Sequence, residues 1–323
     1  MARFEIKNGV AIIPDGTTEI PLTAFRECQS LRSVTIPESV ITIRDNAFVH
    51  CHSLENIVIQ NGVKEIEGGA FSSCISLKSI TIPESVTDVG YNIFCGCFAL
   101  ESISGKFATE DHRALVVDGE LTAVASGGLT DYTIPDGVTT ICYSAFFACE
   151  SLRNVMIPES VKEIGELAFY GCPALEKITI PDGIIKIQDS TFMQCTALQS
   201  ISLPESITEI GDRAFTECES LKTISIPERI AKIGGYAFYG CKSLTSLTIP
   251  KSVSEIDMRA FEGCTSLESL TLLSRAKLGY GVFRECPSLK TINVPSDYVD
   301  YYKEVLPEEF KPLVVGFIND ENS

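Results

Sequence analysis

A phenylalanine–cysteine–leucine pattern recurs along almost the whole chain, mostly with a period of 23 residues. In one copy, Phe48 is followed by Cys51 and then by Leu54. Eleven copies carry the pattern, beginning at Phe25, Phe48, Phe71, Phe94, Phe146, Phe169, Phe192, Phe215, Phe238, Phe261 and Phe283. A unit this short cannot bury its own apolar face, so the copies must stack into a continuous core. The period therefore constrains the chain to a repeat solenoid.

Each copy contains the signals of two extended pieces and one tight turn. Val34 and Ile36 alternate with polar residues as a strand does, and Pro37 then ends the pairing because it has no N–H to donate. Ile43 indicates a second, shorter extended piece. The spacing within Ala47–Cys51 predicts a single helical turn whose side chains point inward. Strands of successive coils are expected to pair in parallel, about 4.8 Å apart.

The consensus AFxxCxSLxxIxIPxxVxxI resembles the BspA-like leucine-rich repeats of bacteria and some protists. The resemblance implies a right-handed, β-rich superhelix with a parallel sheet and short helical turns. It covers nearly the whole chain, so we expect one leucine-rich-repeat solenoid domain over residues 1–323. Its predicted parts are an N-cap (1–23), repeats (24–105 and 134–294), a β-hairpin insert (106–133) and a C-cap (295–323).

The insert and the C-cap are predicted from departures in the pattern. Phe94 and Phe146 are 52 residues apart, and Asp118-Gly119 between two apolar runs indicates a type I′ hairpin. We expect this hairpin to protrude from or cover the solenoid edge, with a ligand-facing ornament as the alternative. Near the end, Ser296 or Asp297 is predicted to cap a short helix, and residues 313–315 to add a last strand.

Thirteen cysteines occur, and eleven of them occupy the same position in successive coils. Side chains stacked in this way have parallel Cα–Cβ vectors, which is poor geometry for a disulfide. The pattern therefore predicts a ladder of packed thiols, which fits a reducing compartment better than an oxidising one. Neither a metal nor a cofactor is expected.

Charge and composition exclude several classes of function. The formal net charge is -17, which disfavours a nucleic-acid or anionic-membrane partner, and no apolar run is long enough to insert into a membrane. Glu5 and Lys7 interrupt any secretory signal, so the chain as it stands is expected to be cytoplasmic unless a signal has been removed. The resembling proteins are often secreted or on the cell surface. The three histidines lie away from the repeated hydroxyls, so no catalytic residues are predicted.

Two lines of polar residues are the candidate binding surface. An acidic turn line follows the turn prolines and comprises Glu38, Glu84, Asp136, Glu159, Asp182, Glu205 and Glu228. A hydroxyl face occupies outward strand positions and includes Thr179, Ser202, Ser225 and Thr248. The acids also suit a simple solubility device or Ca²⁺ binding, and these alternatives stay open.

The function predicted from these features is non-catalytic protein binding by a monomeric scaffold, in the manner of an adhesin. The expected partner is a host, matrix or bacterial protein. The alternatives are an intracellular scaffold for another protein, or a glycan-binding module. Tyr91, Tyr143, Tyr236 and Tyr280 either form a scattered aromatic patch or cover the edges of the core.

Overall fold

A computed structural model describes residues 4–318, so the ends of the predicted caps at 1–3 and 319–323 lie outside the described residues. The contacts divide the chain into two compact units, Met1–Leu152 and Arg153–Ser323. Each unit is a β-solenoid in which one coil carries a longer strand and a shorter strand. The prediction that the whole chain forms a single domain stays a prediction.

In the first unit, residues one repeat apart lie directly opposite each other. Val34 pairs with Ile57 and Ile36 with Ile59 in a parallel ladder, and the inward side chains of these strands are buried. The longer strands are Val10–Ile12, Ser33–Ile36, Asn56–Ile59, Ser79–Ile82, Ser102–Gly105 and Asp131–Thr133. The shorter strands are Glu19–Ile20, Thr42–Ile43, Glu65–Ile66, Asp88–Val89 and Thr140–Ile141. The predicted parallel pairing at the period of the repeat is confirmed.

The second unit repeats this arrangement with the same register. Ile201 pairs with Ile224, and Leu247 with Leu270. The longer strands are Asn154–Met156, Lys177–Ile178, Ser200–Ser202, Thr223–Ser225, Ser246–Ile249, Ser269–Leu272, Thr291–Pro295 and Val314–Phe317. The shorter strands are Glu163–Ile164, Lys186–Ile187, Glu209–Ile210, Lys232–Ile233, Glu255–Ile256 and Lys277–Leu278.

The third side of each coil is a run of β-turns where the spacing had predicted a helical turn. The backbone has positive φ on both sides of the phenylalanine, for example 54° at Asn46 and 60° at His50. Left-handed residues at these two points stop a right-handed helix from propagating. The inward spacing of one and three residues is kept, because a β-turn brings residues i and i+3 together as a helical turn does.

Hydrogen bonding along this turn side alternates between local and inter-coil partners. The N–H groups of Ala24, Arg26 and Cys28 donate to carbonyls three residues earlier. The intervening N–H groups donate to the next coil, as Phe25 does to the carbonyl of Ala47 at 2.7 Å. Each backbone donor from residue 23 to 28 is therefore satisfied, and the turn side is tied to its neighbour as firmly as the strands are.

The core of each unit contains stacked phenylalanine rings beside the buried thiols. In the second unit, Phe192, Phe215 and Phe238 stack with centroid separations of 5.5 and 5.3 Å. The Sγ of Cys218 donates to the Phe192 carbonyl at 3.1 Å. Cysteine suits this position because it is small and apolar and still supplies a donor to a carbonyl of the preceding coil.

The predicted hairpin is present as Ala114–Val117 paired antiparallel with Glu120–Val124. Its turn residues, Asp118 and Gly119, have φ of 50° and 82°, as a type I′ turn requires. The hairpin does not protrude. Its second strand pairs in parallel with Thr140–Ile141, and Leu115 and Leu121 are fully buried. The insert thus adds a strand to the ladder of shorter strands and contributes side chains to the core.

Each end adds an element to the repeat. At the N-terminus, within the predicted N-cap, Glu5–Lys7 pairs antiparallel with Val10–Ile12 around Asn8-Gly9 to form a hairpin. At the C-terminus a 3₁₀ turn (Ser296–Tyr298), the helix Val299–Val305 and a second 3₁₀ turn (Lys311–Leu313) precede the last strand.

The C-terminal helix and strand are confirmed, but the predicted side-chain cap is wrong. No side-chain hydrogen bond caps either Ser296–Tyr298 or Val299–Val305. The Oγ of Ser296 donates instead to the Phe317 carbonyl at 3.0 Å. Ser296 therefore stabilises the last strand rather than the start of the helix.

Candidate recognition surface

The acidic turn line lies on the β-turn that follows each longer strand. In the first coil of the line, the N–H of Val40 donates to the Pro37 carbonyl, which places Glu38 at the second position of the turn. The Ser39 hydroxyl donates to the Thr17 carbonyl at 2.8 Å and fastens the turn to the preceding coil. The acidic side chain between the proline and this serine faces solvent. All seven predicted acids are exposed: Glu38, Glu84, Asp136, Glu159, Asp182, Glu205 and Glu228.

Only part of the line is continuous from coil to coil. In the first unit Gln60 and Asn61 replace the Pro-Glu pair, and the Gln60 side chain accepts a hydrogen bond from the Glu38 N–H at 3.0 Å. In the second unit four successive coils carry an acid, namely Glu159, Asp182, Glu205 and Glu228. Asp136, one repeat before Glu159, carries an acid at the same position, so the run of acids begins at the end of the first unit and most of it lies in the second.

The hydroxyl face of the second unit is brought together by the strand register. Thr179 bridges to Ser202, Ser202 lies opposite Ser225, and Thr248 lies opposite Thr271. Neighbouring strands in such a ladder are about 4.8 Å apart, so these side chains form a closely spaced column. Thr179, Ser202, Ser225 and Thr248 are all exposed.

These four hydroxyls are available to a partner. Within the part of the chain that the structure describes, none of them makes an intramolecular hydrogen bond. The hydroxyls of the turn serines behave differently, since Ser206 donates to the Ile184 carbonyl at 2.6 Å and Ser252 to the Ile230 carbonyl at 2.7 Å. The same residue type is therefore structural in the turns and unengaged on the sheet.

Two exposed apolar residues lie on the same face and were missed by the sequence reasoning. Met156 is 66% exposed and occupies an outward strand position, and Val315 is 46% exposed and lies opposite Asn293. Both stand where the other coils of the second unit carry a hydroxyl or an amide. The repeat period alone would have revealed Met156, which is in register with Thr179, whereas Val315 lies in the C-cap and needed the strand pairing. The face thus combines hydroxyls with apolar residues and carries no charge along this column.

A second charged line, also missed, runs along the shorter strands. Its members alternate in sign in five successive coils: Lys186, Glu209, Lys232, Glu255 and Lys277. Lys186 and Glu209 are 3.1 Å apart, and Lys277 and Glu255 are 3.6 Å apart. Burial lowers the pKa of Lys232, but Glu255 and Asp257 raise it by more, so the net shift is upward. This line is neutralised internally, unlike the acidic turn line.

Most of the cysteines are buried in the core as free thiols. All thirteen are free thiols, and all except Cys28 and Cys95 are buried. Burial raises the pKa of Cys51 and of Cys97 to about 12 and that of Cys95 to about 11, so the thiolate is scarce at neutral pH.

No metal centre is seen. Among residues 4–318, no group of three or more His, Cys, Asp or Glu side chains is placed to hold a metal ion. His50 and His52 meet edge to face with ring centroids 5.8 Å apart. No described helix has the length and apolar character that crossing a membrane requires.

Comparison with known families gives a match over most of the chain. The model of the BspA type leucine rich repeat region matches six copies, at residues 6–110, 123–242 and 186–306. No curated protein sequence matches the chain.

Several solved structures share the fold. A leucine rich cell surface protein from Faecalibacterium prausnitzii is 34% identical, with a TM-score of 0.59; the alignment covers 77% of this chain and 62% of that protein. The present chain therefore spans less than two thirds of that relative. A leucine-rich repeat protein from Bacteroides ovatus is 26% identical, with a TM-score of 0.58 and coverage of 93% and 88%. The leucine rich repeat protein of T. pallidum is 29% identical, with a TM-score of 0.51 and coverage of 66% and 95%.

Proposed function

The chain belongs to the BspA type leucine-rich repeat family, and on that premise we propose that it is a non-catalytic scaffold that binds another protein in the manner of an adhesin. The observation that carries the proposal is the hydroxyl face of the second unit, where Thr179, Ser202, Ser225 and Thr248 are exposed and unengaged. A protein partner would satisfy such groups with its own backbone or side-chain donors and acceptors.

The acidic turn line completes the proposed surface. Glu205 follows Ser202 by three residues, and Glu228 follows Ser225 by three, so each acid lies within about 10 Å of a hydroxyl along the chain. Acids at the border of a neutral surface steer a basic partner and select against an acidic one. Met156 adds an apolar contact at the same face.

The F. prausnitzii relative is a cell surface protein, which supports looking for the partner outside the cell. The test is binding of the purified chain to a panel of immobilised extracellular-matrix proteins and to intact host and bacterial cells. We expect at least one saturable interaction that weakens at least tenfold when Glu159, Asp182, Glu205 and Glu228 are all changed to Lys. It should also weaken as salt rises from about 50 to about 300 mM, since exposed charges are screened.

A control variant with the same change in net charge isolates the surface. Glu27→Lys, Glu55→Lys, Glu101→Lys and Glu110→Lys together change exposed acids outside the line and should leave the affinity within about twofold. Replacing Thr179, Ser202, Ser225 and Thr248 by Ala tests the hydroxyl face separately. Equal affinities for all of these variants and the original chain would contradict the proposed binding surface.

One observation favours the intracellular scaffold as a second candidate. Thirteen cysteines persist as free thiols, which is usual in a reducing compartment. Protease shaving of intact source cells, followed by mass spectrometry, separates the two locations. Peptides released from intact cells support the adhesin-like role, and peptides found only in the soluble fraction support the internal scaffold.

A further inference from the structure

A cavity of about 550 Å³ lies in the second unit, between the turn of the last repeat and the segment that follows the C-terminal helix. The wall from the repeat is Leu278–Arg284, and the opposite wall includes Val305, Leu306 and Phe310. The Phe310 ring meets Phe283, the last ring of the phenylalanine ladder, edge to face at 6.0 Å. The cavity is thus built where the repeating core ends, and its walls combine apolar side chains with polar groups.

Tyr280 lines this cavity and is 73% exposed. Packing in the core therefore does not account for a large aromatic side chain at this position. The Tyr280 carbonyl accepts a hydrogen bond from the Arg259 N–H at 2.9 Å, which holds the backbone, and glycines flank the residue on both sides. A Cβ at Gly279 would lie 2.4 Å from the Met258 nitrogen, and Gly281 has a φ of 68°. A large aromatic ring held in solvent by a constrained turn loses little conformational entropy when it contacts a ligand.

One cation stands in the same lining. The Arg284 guanidinium forms a loose ion pair, with Nε 4.0 Å from Glu285 Oε1, and both side chains are more than half exposed. Such a pair contributes little and is easily exchanged for another anion. Glu309 also lines the cavity, so a ligand with a single negative charge fits better than one with several.

We propose that this cavity binds a small amphipathic anion, with an apolar, preferably aromatic, body between Tyr280 and Phe310 and its anionic group at Arg284. The volume is within the range of sites for drug-sized ligands, about 300–1,000 Å³. The site is separate from the hydroxyl face and the acidic turn line. It does not depend on the function proposed for them.

Two fluorescent probes with nearly the same aromatic body test the proposal. 8-Anilinonaphthalene-1-sulfonate carries one negative charge, and N-phenyl-1-naphthylamine carries none. We expect both to bind in a 1:1 ratio, the anionic probe more tightly. Arg284→Gln should lower the affinity for the anionic probe about threefold and leave the affinity for the neutral probe unchanged, as expected for an exposed ion pair. Tyr280→Ser should lower the affinity for both probes about tenfold, since a stacked ring contributes to binding beyond its buried area.

The repeat supplies matched controls at equivalent positions of other coils. Tyr91, like Tyr280, precedes a ladder phenylalanine by three residues and is 56% exposed. Arg26, like Arg284, directly follows a ladder phenylalanine and pairs with the next residue, Glu27, at 3.0 Å. Tyr91→Ser and Arg26→Gln should leave the affinity of both probes unchanged.

A spectroscopic readout locates the probe independently of affinity. The chain has no tryptophan, so Val305→Trp at the cavity mouth introduces a single donor for energy transfer to the anionic probe. Tryptophan emission quenched in step with probe binding supports the site. The proposal is overturned if neither probe binds, if emission is not quenched, or if Tyr91→Ser weakens binding as much as Tyr280→Ser.

Discussion

Buried polar groups are paired in the regular coils of the second unit, but some of those beside the hairpin insert of the first unit are not. In the described residues, the buried side-chain oxygens without a hydrogen-bond partner are Asn92 Oδ1, Tyr132 Oη, Glu262 Oε2 and Ser274 Oγ. Asn92 lies in the coil that precedes the insert, and Tyr132 lies eight residues after the hairpin. None of the four falls between residues 186 and 256, where the coils are regular. Apolar burial does not distinguish the regions, since Leu115 in the insert and Phe215 in a regular coil are both fully buried.

The difference shows what repetition does for a solenoid. When each coil has the same sequence pattern as the next, a donor in one coil meets the corresponding acceptor in its neighbour. Phe215 N–H donates to the Ala237 carbonyl just as Phe238 N–H donates to that of Ala260. An inserted segment fills the space with apolar side chains but has no counterpart of its own kind. The polar groups of the segments beside it are therefore paired less completely.

The largest expected effect is unfolding of the coils at high pH, which follows from the buried thiols. Burial raises the pKa of the core thiols above that of an unfolded cysteine, to about 12 for Cys51 and Cys97 and about 11 for Cys286. Below about pH 7.5, thiols are almost fully protonated in both states, because an unfolded cysteine has a pKa of about 8.5, so they do not change the stability. Above that pH, unfolded thiols lose protons while buried ones keep them. Stability should then fall by about 1.4 kcal/mol per thiol per pH unit.

Summed over the ladder, this loss exceeds the total stability of a typical domain, about 5–15 kcal/mol. We expect circular dichroism to show cooperative unfolding between about pH 9 and 11, reversible on return to about pH 7 under reducing conditions. The urea midpoint should be flat between about pH 6 and 7. A midpoint that is the same at about pH 8 and about pH 10.5 would contradict the buried thiol ladder.

The second prediction removes one ring from the regular stack. Phe215 is fully buried between Phe192 and Phe238, so Phe215→Ala should lower the free energy of unfolding by about 3–5 kcal/mol. Urea denaturation at neutral pH measures the loss. Phe98→Ala is the control, because Phe98 is 41% exposed and its loss should cost less than about 1 kcal/mol.

The third prediction compares two buried tyrosines that differ in hydrogen bonding. The Tyr302 hydroxyl donates to the Ser274 carbonyl at 2.8 Å and accepts from the Ala276 N–H at 3.1 Å. It closes the coil in which the usual proline turn is missing. Tyr302→Phe should therefore cost about 1–3 kcal/mol, because it leaves backbone groups unpaired.

Tyr132→Phe should have the opposite sign or no effect. The Tyr132 hydroxyl is buried just after the hairpin and makes no well-formed hydrogen bond among the described residues. The neighbouring Thr109 hydroxyl is engaged elsewhere, with Asp111 at 2.5 Å and with the Ala114 N–H at 3.0 Å. Removing the tyrosine hydroxyl therefore relieves a desolvation cost.

The two tyrosine variants are compared by urea denaturation in the same buffer. A loss of more than about 1 kcal/mol in Tyr132→Phe would show that the insert satisfies this group after all. Polar groups beside the insert would then be paired as completely as those of the regular coils.

The sequence was sufficient to predict the parts of the fold that depend on side-chain period. The parallel register, the buried Phe and Cys ladders and the Asp118-Gly119 hairpin follow from spacing and turn chemistry. The form of the turn side did not, because spacings of one and three fit a helical turn and a β-turn equally. The deciding feature is the positive φ at residues such as Asn46 and His50, which side-chain identity alone specifies weakly.

The candidate site was predictable to a similar degree. Alternation along the strands predicts that Ser202 and Thr248 face outward, and the turn after proline predicts an exposed Glu205. The charge pairing of Lys186 with Glu209 was visible as opposite charges one repeat apart, but it required knowledge that the shorter strands pair in register. The cavity at Tyr280 needed the structure, because it is formed by segments that meet only where the C-terminal helix folds back.

The smallest expected effect is at the turn of the insert. Gly119 has a φ of 82°, and a Cβ there would lie 3.3 Å from Thr139 Oγ1. Gly119→Ala should lower the free energy of unfolding by about 1 kcal/mol, because an L-residue is strained in the left-handed region. Asp118→Asn is the matched control: asparagine is common at the first position of a type I′ turn, so stability should be kept. If Gly119→Ala is as stable as Asp118→Asn, the hairpin is not held by its turn, and the pairing of Glu120–Val124 with Thr140–Ile141 alone fixes the insert in the solenoid.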